Sequence, residues 1–403
     1  MTLVKRFIFH LIIVAVGLLI ILNSFPIFAL AASSNDLQVS GWIPYWRDAQ
    51  GLADAKKHIT KLDTVNPFEF SVKNDGTLKD LYTSTSTDLK RLLSYAHSHG
   101  SEVIPTVMWG DGVAINAVLS NNDLRASHEN AIVSMVKKGK YDGVDIDYEG
   151  KLSATKDNFS LFLKELKAKL GGKILTCAIE PRTPPDSLYT TIPATIEYAN
   201  DYKAIGTYCD RVEIMAYDQQ RADIKLDAAR QGAPYIPLSD VDWVEKVIQL
   251  AVRDIPPEKI MLGVPTYGHQ YTVTVLPQWY KDYARIGSLN LPDALDLSKQ
   301  YAVAPGRNAG GEMSFTYFPD TSIFKILKGL PVPQGTPRGY EAAAQALLYA
   351  NYSGASAQFN MVWYSDAGAV ERKIALAKQY GLRGIALFKI DGQEDQNIWN
   401  VLK

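Results

Sequence analysis

Residues 142–149 read Asp142-Gly143-Val144-Asp145-Ile146-Asp147-Tyr148-Glu149. In a β-strand, successive side chains point to opposite faces. Asp145, Asp147 and Glu149 then share one face, and Val144, Ile146 and Tyr148 share the other. The apolar face suits packing against helices. Three acids in a row on the inner face of a barrel are costly to bury and imply a purpose. They run toward the strand's C-terminal end, where (β/α)8 barrels keep their active sites. Two other readings fit less well. A calcium loop starting at Asp145 needs an acid at its twelfth position, where Lys156 stands, and Ile146 and Tyr148 suit a strand better. No histidine accompanies the acids nearby, as another divalent metal would favour, and Glu149 projects furthest out, where a proton donor would sit. No metal and no cofactor are expected.

Outward from this run, β-rich segments alternate with amphipathic ones. Strands are predicted over 39–45, 64–72, 102–108, 143–148, 174–180, 211–217, 260–265 and 384–390. Leu89, Leu92, Leu93 and Ala96 have helical spacing, closed by Gly100. A helix is predicted over 123–138. Phe159, Phe162, Leu163, Leu166 and Leu170 mark the next, which stops at Gly171-Gly172, suited to a left-handed C-cap. Helices over 243–252 and 369–380 end before Pro256-Pro257 and at Gly381. Eight strands alternating with helices imply parallel pairing and right-handed crossovers. The predicted class is therefore α/β, a (β/α)8 TIM barrel. An open doubly wound sheet competes, but no Gly-rich phosphate loop follows the first strand.

One stretch breaks the alternation. Residues 271–361 hold β-like runs over 271–276, 313–317 and 359–363 and a helical run over 339–349. They are read as a small α+β insertion between strands seven and eight, on the catalytic side. The domain reading is a targeting segment over 1–31 and a catalytic barrel over 32–403, with the insertion inside it.

The 403 residues are 21% charged and 47% hydrophobic, ordinary for a globular protein. The net charge of −1 gives no basic footprint for nucleic acid. Near-neutrality fits an uncharged or mixed substrate such as a polysaccharide. Lys5 and Arg6 precede an apolar run over 7–22, Pro26 breaks it, and Ala29-Leu30-Ala31 forms a small-x-small cleavage pattern. The expectation is a signal peptide cleaved after Ala31, with an uncleaved membrane anchor as the alternative. Either way the rest of the chain is exported, secreted or held at the cell envelope. The two cysteines, Cys177 and Cys209, fall near neighbouring predicted strands and are read as buried small hydrophobes, with pairing in an oxidising compartment as the alternative.

The run over 142–149 resembles the DGxDxDxE signature of glycoside hydrolase family 18. Further similarities follow in chain order. Met215-Ala216-Tyr217-Asp218 resembles the family's MxYD motif, and Leu262-Gly263-Val264-Pro265-Thr266-Tyr267-Gly268 its strand-seven motif. Trp363-Tyr364-Ser365-Asp366 and Gly381-Leu382-Arg383-Gly384-Ile385 resemble the approach to strand eight. Within the family, the chain is most similar to the bacterial spore-cortex type of N-acetylglucosaminidase. There are departures. Phe388 stands where the family commonly has a tryptophan, and Pro105-Thr106-Val107-Met108-Trp109-Gly110 lacks the usual Ser-x-Gly-Gly.

The resemblance implies hydrolysis of β-1,4-linked N-acetylglucosamine glycans, chitin or peptidoglycan, by a substrate-assisted retaining mechanism. Glu149 is then the general acid and later the base. Asp147 holds the acetamido N–H, Asp145 shares a proton or hydrogen bond with Asp147, and Tyr217 donates to the acetamido oxygen. The charge on Asp147 is expected to raise the pKa of Glu149. Asp218 and Met215 are expected at the sugar, with Trp109, Tyr267, Phe388, Tyr45 and Phe68 lining the groove as flat rings against apolar sugar faces. Trp42 and Trp46 are further aromatic candidates. Glu180 and Arg182 are placed to meet sugar groups or each other, and Asp391 is equally open. The competing function is a non-catalytic, lectin-like sugar-binding protein on the same fold.

Overall fold

The computed structural model describes residues 36–82, 86–230, 232–319 and 324–402. The expected targeting segment lies outside the described residues. Among the described residues, no helix is long and apolar enough to cross a membrane.

Seven barrel strands come first: β1 (Gln38–Pro44), β2 (Thr64–Val72), β3 (Thr106–Trp109), β4 (Gly143–Tyr148), β5 (Ile174–Ile179), β6 (Arg211–Ile214) and β7 (Ile260–Pro265). Four strands of a second sheet follow: β8 (Gly268–Leu276), β9 (Trp279–Leu289), β10 (Met313–Tyr317) and β11 (Ala357–Tyr364). The eighth stave is β12 (Gly384–Phe388). The staves pair in parallel in sequence order, β12 pairs with both β7 and β1, and β1 pairs with β2, so the barrel closes. The second sheet is antiparallel and continues directly from β7, whose last residue is three positions before Gly268.

β4 shows why this sequence makes a barrel. All six of its residues are buried, as a central parallel strand covered on both faces requires. Val144, Ile146 and Tyr148 face the helical layer. Tyr148 stacks on Phe162 of helix Lys156–Leu170 with ring centroids 5.6 Å apart. Its hydroxyl meets Nε2 of buried His128, whose Nδ1 lies 2.6 Å from the Gly76 carbonyl. Burial lowers the His128 pKa to about 4, so the ring is neutral and can accept from the tyrosine. Asp145 and Asp147 face inward, paired in register with Thr106 and Met108 of β3 and Thr176 and Ala178 of β5.

Two staves depart from the expected extents. The third is broken into Glu102–Val103 and Thr106–Trp109, because Pro105 has no N–H for the ladder. The sixth stops at Ile214 rather than at 217. There the chain curls, with Ala216 N–H donating to the Ile214 carbonyl and Tyr217 N–H to the Met215 carbonyl, both at 2.8 Å. In the second sheet, β9 had no counterpart among the expected β-like runs. Its side chains are mostly exposed and include Lys281, Asp282 and Arg285, which hides the apolar signal of a strand.

Cys177 and Cys209 are both fully buried, but they are bonded to each other, contrary to the expectation of free hydrophobes. Cys177 lies in β5, and Cys209 sits just before β6, the neighbouring stave. Their Cα atoms are 6.1 Å apart, within bridging distance. The bridge closes a loop with a sequence separation of 32. Such a loop predicts that the Cys177→Ser/Cys209→Ser variant loses about 2–4 kcal/mol of stability. Denaturant unfolding of both proteins with and without reductant checks this. Equal midpoints in all four conditions would show that the bridge contributes nothing.

Candidate active site

The barrel interior below the site is unusually polar. Asp145 is fully buried, and its Oδ2 accepts from Trp42 Nε1 at 3.0 Å and from Thr106 Oγ1 at 2.8 Å. Its Oδ1 has no partner, nor does Oδ1 of Asp147, which is 5% exposed. Beneath them, buried Glu213 accepts from Ser40 Oγ at 2.8 Å, while its Oε2 is unpartnered. A cluster of Trp42, Phe68, Ala178, Met261 and Ala386, with Tyr45, Met108 and Phe388 against it, fills the rest of the interior.

Burial disfavours charge on every carboxyl here. It raises Asp145 to about 6, even against the hydrogen bonds from Trp42 and Thr106. Asp147 is pushed well above the ordinary range by burial, then by Glu149 and Asp145 on either side. Glu213 is raised by burial and by Asp145. Glu149, at the mouth, is also raised, chiefly by burial and then by Glu180 and Asp218, with Lys151 opposing. The expected cause, a charge on Asp147, is not among the leading ones at Glu149; Asp147 is instead itself raised by burial and by Glu149. Among the described residues, no hydrogen bond reaches the Glu149 side chain, which leaves its carboxyl open to a ligand.

The curl after β6 carries Tyr217 and Asp218 over the opening. Tyr217 stacks on Phe388 at 5.3 Å, with the rings 13° from parallel, and meets Tyr267 edge-on at 6.3 Å. Gly263 makes this approach possible: a Cβ there would lie 2.5 Å from the Ile214 carbonyl and 3.1 Å from the Tyr217 ring. Asp218 has φ of 52°, a left-handed conformation that aspartate tolerates better than most residues. Its Oδ1 accepts from the Tyr267 hydroxyl at 2.9 Å and lies 2.6 Å from His269 Nε2. Burial pushes the Asp218 pKa up, but His269, Tyr267 and the nearby Arg285 outweigh it and hold the group ionised below the ordinary value. On the other side of the mouth, Tyr45 stacks on Phe68 at 6.2 Å and Trp46 stands edge-on to both, 49% exposed.

The structure thus brings together Asp145, Asp147, Glu149, Tyr217, Asp218, Tyr267 and Phe388, with Phe68 in the buried interior cluster, Tyr45 packed against it, and Met215 in the curl that leads to Tyr217. Trp109 does not join them. It pairs in register with outward-facing Tyr148 and packs edge-on to Tyr148 and His128, each at 5.5 Å. Strand alternation is the reason, since Met108 takes the inward position. Arg182 is also turned away, stacked on Tyr198 and Tyr202. Glu180 instead approaches the acid from outside: it accepts from Gly150 N–H at 3.1 Å and from Asn200 at 2.7 Å. Asp391 lies under the groove against Lys389 and Arg47. Sequence reasoning did not foresee the parts of Thr106, Glu213 and His269. The signal for Thr106 was its inward position on the strand beside Asp145.

Reversed titration follows from the raised carboxyls. A folded-state pKa of about 6 for Asp145, above its ordinary value of 3.8, means the folded protein holds a proton that the unfolded chain releases. That contribution to stability is complete below about pH 4 and is lost as pH rises through about 6. Asp145→Asn is expected to flatten the decline in stability over this window. Urea midpoints measured from pH 4 to 7.5 check it; an unchanged slope in the variant would contradict the assignment.

A family model for glycosyl hydrolases family 18 matches residues 42–393. The chain is 26% identical over 278 residues to the putative sporulation-specific glycosylase YdhD of Bacillus subtilis, covering 68% of this chain and 53% of that protein. It is 25% identical over 338 residues to the cortical fragment-lytic enzyme of Bacillus anthracis, covering 83% of this chain and 66% of the relative. The chain therefore spans about half to two thirds of the length of these relatives. In three dimensions it resembles the Bacillus cereus spore cortex-lytic enzyme SleL, with a TM-score of 0.66 at 20% identity over 91% of this chain and 73% of that one. That likeness concerns the fold. With the family match spanning nearly the whole chain, this protein belongs to glycosyl hydrolases family 18.

Proposed function

We propose that the protein is an exported glycosidase that cleaves β-1,4-linked N-acetylglucosamine-containing glycans by a substrate-assisted, retaining route. The observation that carries this reading is a raised, hydrogen-bond-free Glu149 at the mouth of a stack of buried carboxyls. A raised pKa enlarges the protonated fraction of a carboxyl, the form that can donate to a leaving glycosidic oxygen.

Below the acid, Asp147 is the acceptor for the acetamido N–H of the bound sugar, and the Tyr217 hydroxyl is the donor to its carbonyl oxygen. That oxygen attacks the anomeric carbon as the bond to the leaving oxygen breaks, and Glu149 supplies the proton to the departing alcohol. The ring so formed is a positively charged oxazolinium ion. Asp147, sharing its proton with Asp145, can place negative charge beside it. Trp42 and Thr106 position Asp145 for that exchange through their hydrogen bonds. Glu149, now ionised, takes a proton from water, which opens the oxazolinium ring at the anomeric carbon and restores the acid with retained configuration. Phe388, backed by Tyr217 and Trp42, is the apolar floor against the sugar face, with a smaller area than an indole. The substrate itself supplies the nucleophile, so the route calls for no cofactor.

Export is supported by the basic-apolar-small pattern of residues 1–31 and by the buried Cys177–Cys209 bridge, which belongs in an oxidising compartment. The names of the sporulation and cortex-lytic relatives support action at the cell envelope. The lectin-like alternative is less favoured, because Glu149, Asp147 and Tyr217 are all in place.

Mass spectrometry of products from chitin oligosaccharides and purified peptidoglycan strands tests the proposal. Wild type is expected to cleave, and Glu149→Gln to lose about 100- to 10,000-fold in kcat while still binding sugar. Asp147→Asn is expected to lower kcat while leaving the basic limb of the pH–rate profile near its wild-type position, because burial, Glu180 and Asp218 are what raise Glu149. Glycan binding without cleavage by wild type would identify a sugar-binding protein instead.

A further inference from the structure

A buried ammonium stands behind the acid, and no step of the proposed reaction uses it. Lys151 is two residues beyond Glu149, and its side chain is fully buried. Burying a lysine is costly unless its charge is met. Three groups meet it here. Lys151 Nζ donates to the Tyr148 carbonyl, lies 3.4 Å from Glu180 Oε2, and sits over the Phe159 ring, 4.8 Å from its centre. Glu180, just after β5, is fixed from its other side by Asn200 Nδ2, which donates to Oε2 at 2.7 Å.

These contacts clamp the backbone on both sides of Glu149. In the peptide unit before it, the Tyr148 carbonyl accepts from Lys151, and the Glu149 N–H donates to the Trp109 carbonyl of β3 at 2.9 Å. In the unit after it, the Gly150 N–H donates to Glu180 Oε1 at 3.1 Å. Lys151 and Glu180 thus supply one bond to each peptide unit that flanks the Glu149 Cα. Gly150, at φ 64°, lets the chain turn so that Lys151 folds back to the strand end. The same two charges act on the acid in opposite senses. Burial raises the Glu149 pKa first, Glu180 and Asp218 add to the rise, and Lys151 opposes it. Asp147, raised by burial, Glu149 and Asp145, is likewise lowered by Lys151 and raised by Glu180. Burial pushes Lys151 itself down, against Glu180, Asp147 and Glu149. The Tyr217 hydroxyl, also facing these acids, stays neutral because burial raises it well above its ordinary value.

We propose that Lys151 is a positioning residue for Glu149 and works as one half of a charge pair with Glu180. The pair holds the backbone that carries the acid, and Lys151 offsets the negative charge that Glu180 places beside it. The inference rests on the reading of Glu149 as the acid. Without the ammonium, Glu180 acts on Glu149 unopposed, and the acid keeps its proton to higher pH. Without the Glu180 carboxylate, Lys151 acts unopposed, and the acid releases its proton at lower pH. A lysine that only anchored the loop would have no such signed effect.

Two readouts test this: the kcat–pH profile on a chitin oligosaccharide, and the titration of the Glu149 carboxyl in the free protein by carbon-13 NMR. Glu149→Gln assigns the resonance. A general acid must be protonated, so its titration forms the basic limb of kcat. In Lys151→Met the limb and the NMR midpoint are expected to move up by about half to one pH unit. In Glu180→Gln both move down by about as much, and the double variant returns close to wild type. The maximal kcat of Lys151→Met falls roughly tenfold, because the acid loses one of its backbone ties. Lys151→Gln, which is neutral but can still donate to the Tyr148 carbonyl, gives the same upward shift and serves if Lys151→Met does not fold. A midpoint that stays in place when Lys151 is neutralised, or that moves in the same direction in the Lys151 and Glu180 variants, overturns the proposal. The NMR readout needs no turnover. Opposite shifts in a wild-type protein that cleaves nothing would leave the pair standing and hydrolysis refuted; cleavage without the shifts would refute the pair alone.

Discussion

Removing Asp145 and Asp147 from water is the constraint on which the rest of this structure depends. A closed barrel gives two acids on one strand nowhere to go but inward, once Val144, Ile146 and Tyr148 commit the other face to the helices. Ionised carboxylates at such depth are very unfavourable unless partnered, so the groups bind protons or find donors. The molecule uses both responses. Trp42 and Thr106 supply donors to Asp145, and burial with the two flanking acids pushes Asp147 toward its protonated form. Glu149 lies one step further out and is open to solvent and ligand. The same strand thus grades from a fixed buried acid to an accessible one, which is the arrangement that acid catalysis at the mouth calls for.

The second sheet turns this opening into a groove. It leaves the barrel directly after β7 and returns just before the helix that precedes β12, so both anchors sit at the catalytic end. Tyr267 and His269, at the root of this sheet, fix Asp218 over Tyr217. Further along, β9 and the turn after it bring Arg285 and Asn290 opposite the Phe388 floor. The barrel therefore supplies the acids, and the inserted sheet supplies one wall of the groove beside Phe388.

Much of this architecture was legible in the sequence. The extents of β2, β4 and β7 follow from their apolar runs, and the barrel from the alternation of strands and helices. Side-chain parity was harder where a strand is broken. Pro105 splits the third stave, and the outward position of Trp109 is clear only from its pairing with Tyr148. The curl that delivers Tyr217 was invisible for a similar reason, since its sequence still looks like a strand. Long-range pairing was out of reach of pattern alone. The Cys177–Cys209 bond and the His269–Asp218 contact both join segments distant in sequence. The sequence shows the spacing of Asp147 and Glu149 but not the burial that leads the shift at both.

The central claim is that burial, Glu149 and Asp145 push Asp147 toward its protonated form. Infrared difference spectroscopy of wild type against Asp147→Asn, with the carboxyls isotope-labelled, tests it most directly. The account predicts that the free protein at pH 6 to 7 shows a protonated carboxyl band that the variant lacks. A carboxylate band in its place would mean that Asp147 is ionised before any substrate binds, and would contradict the account.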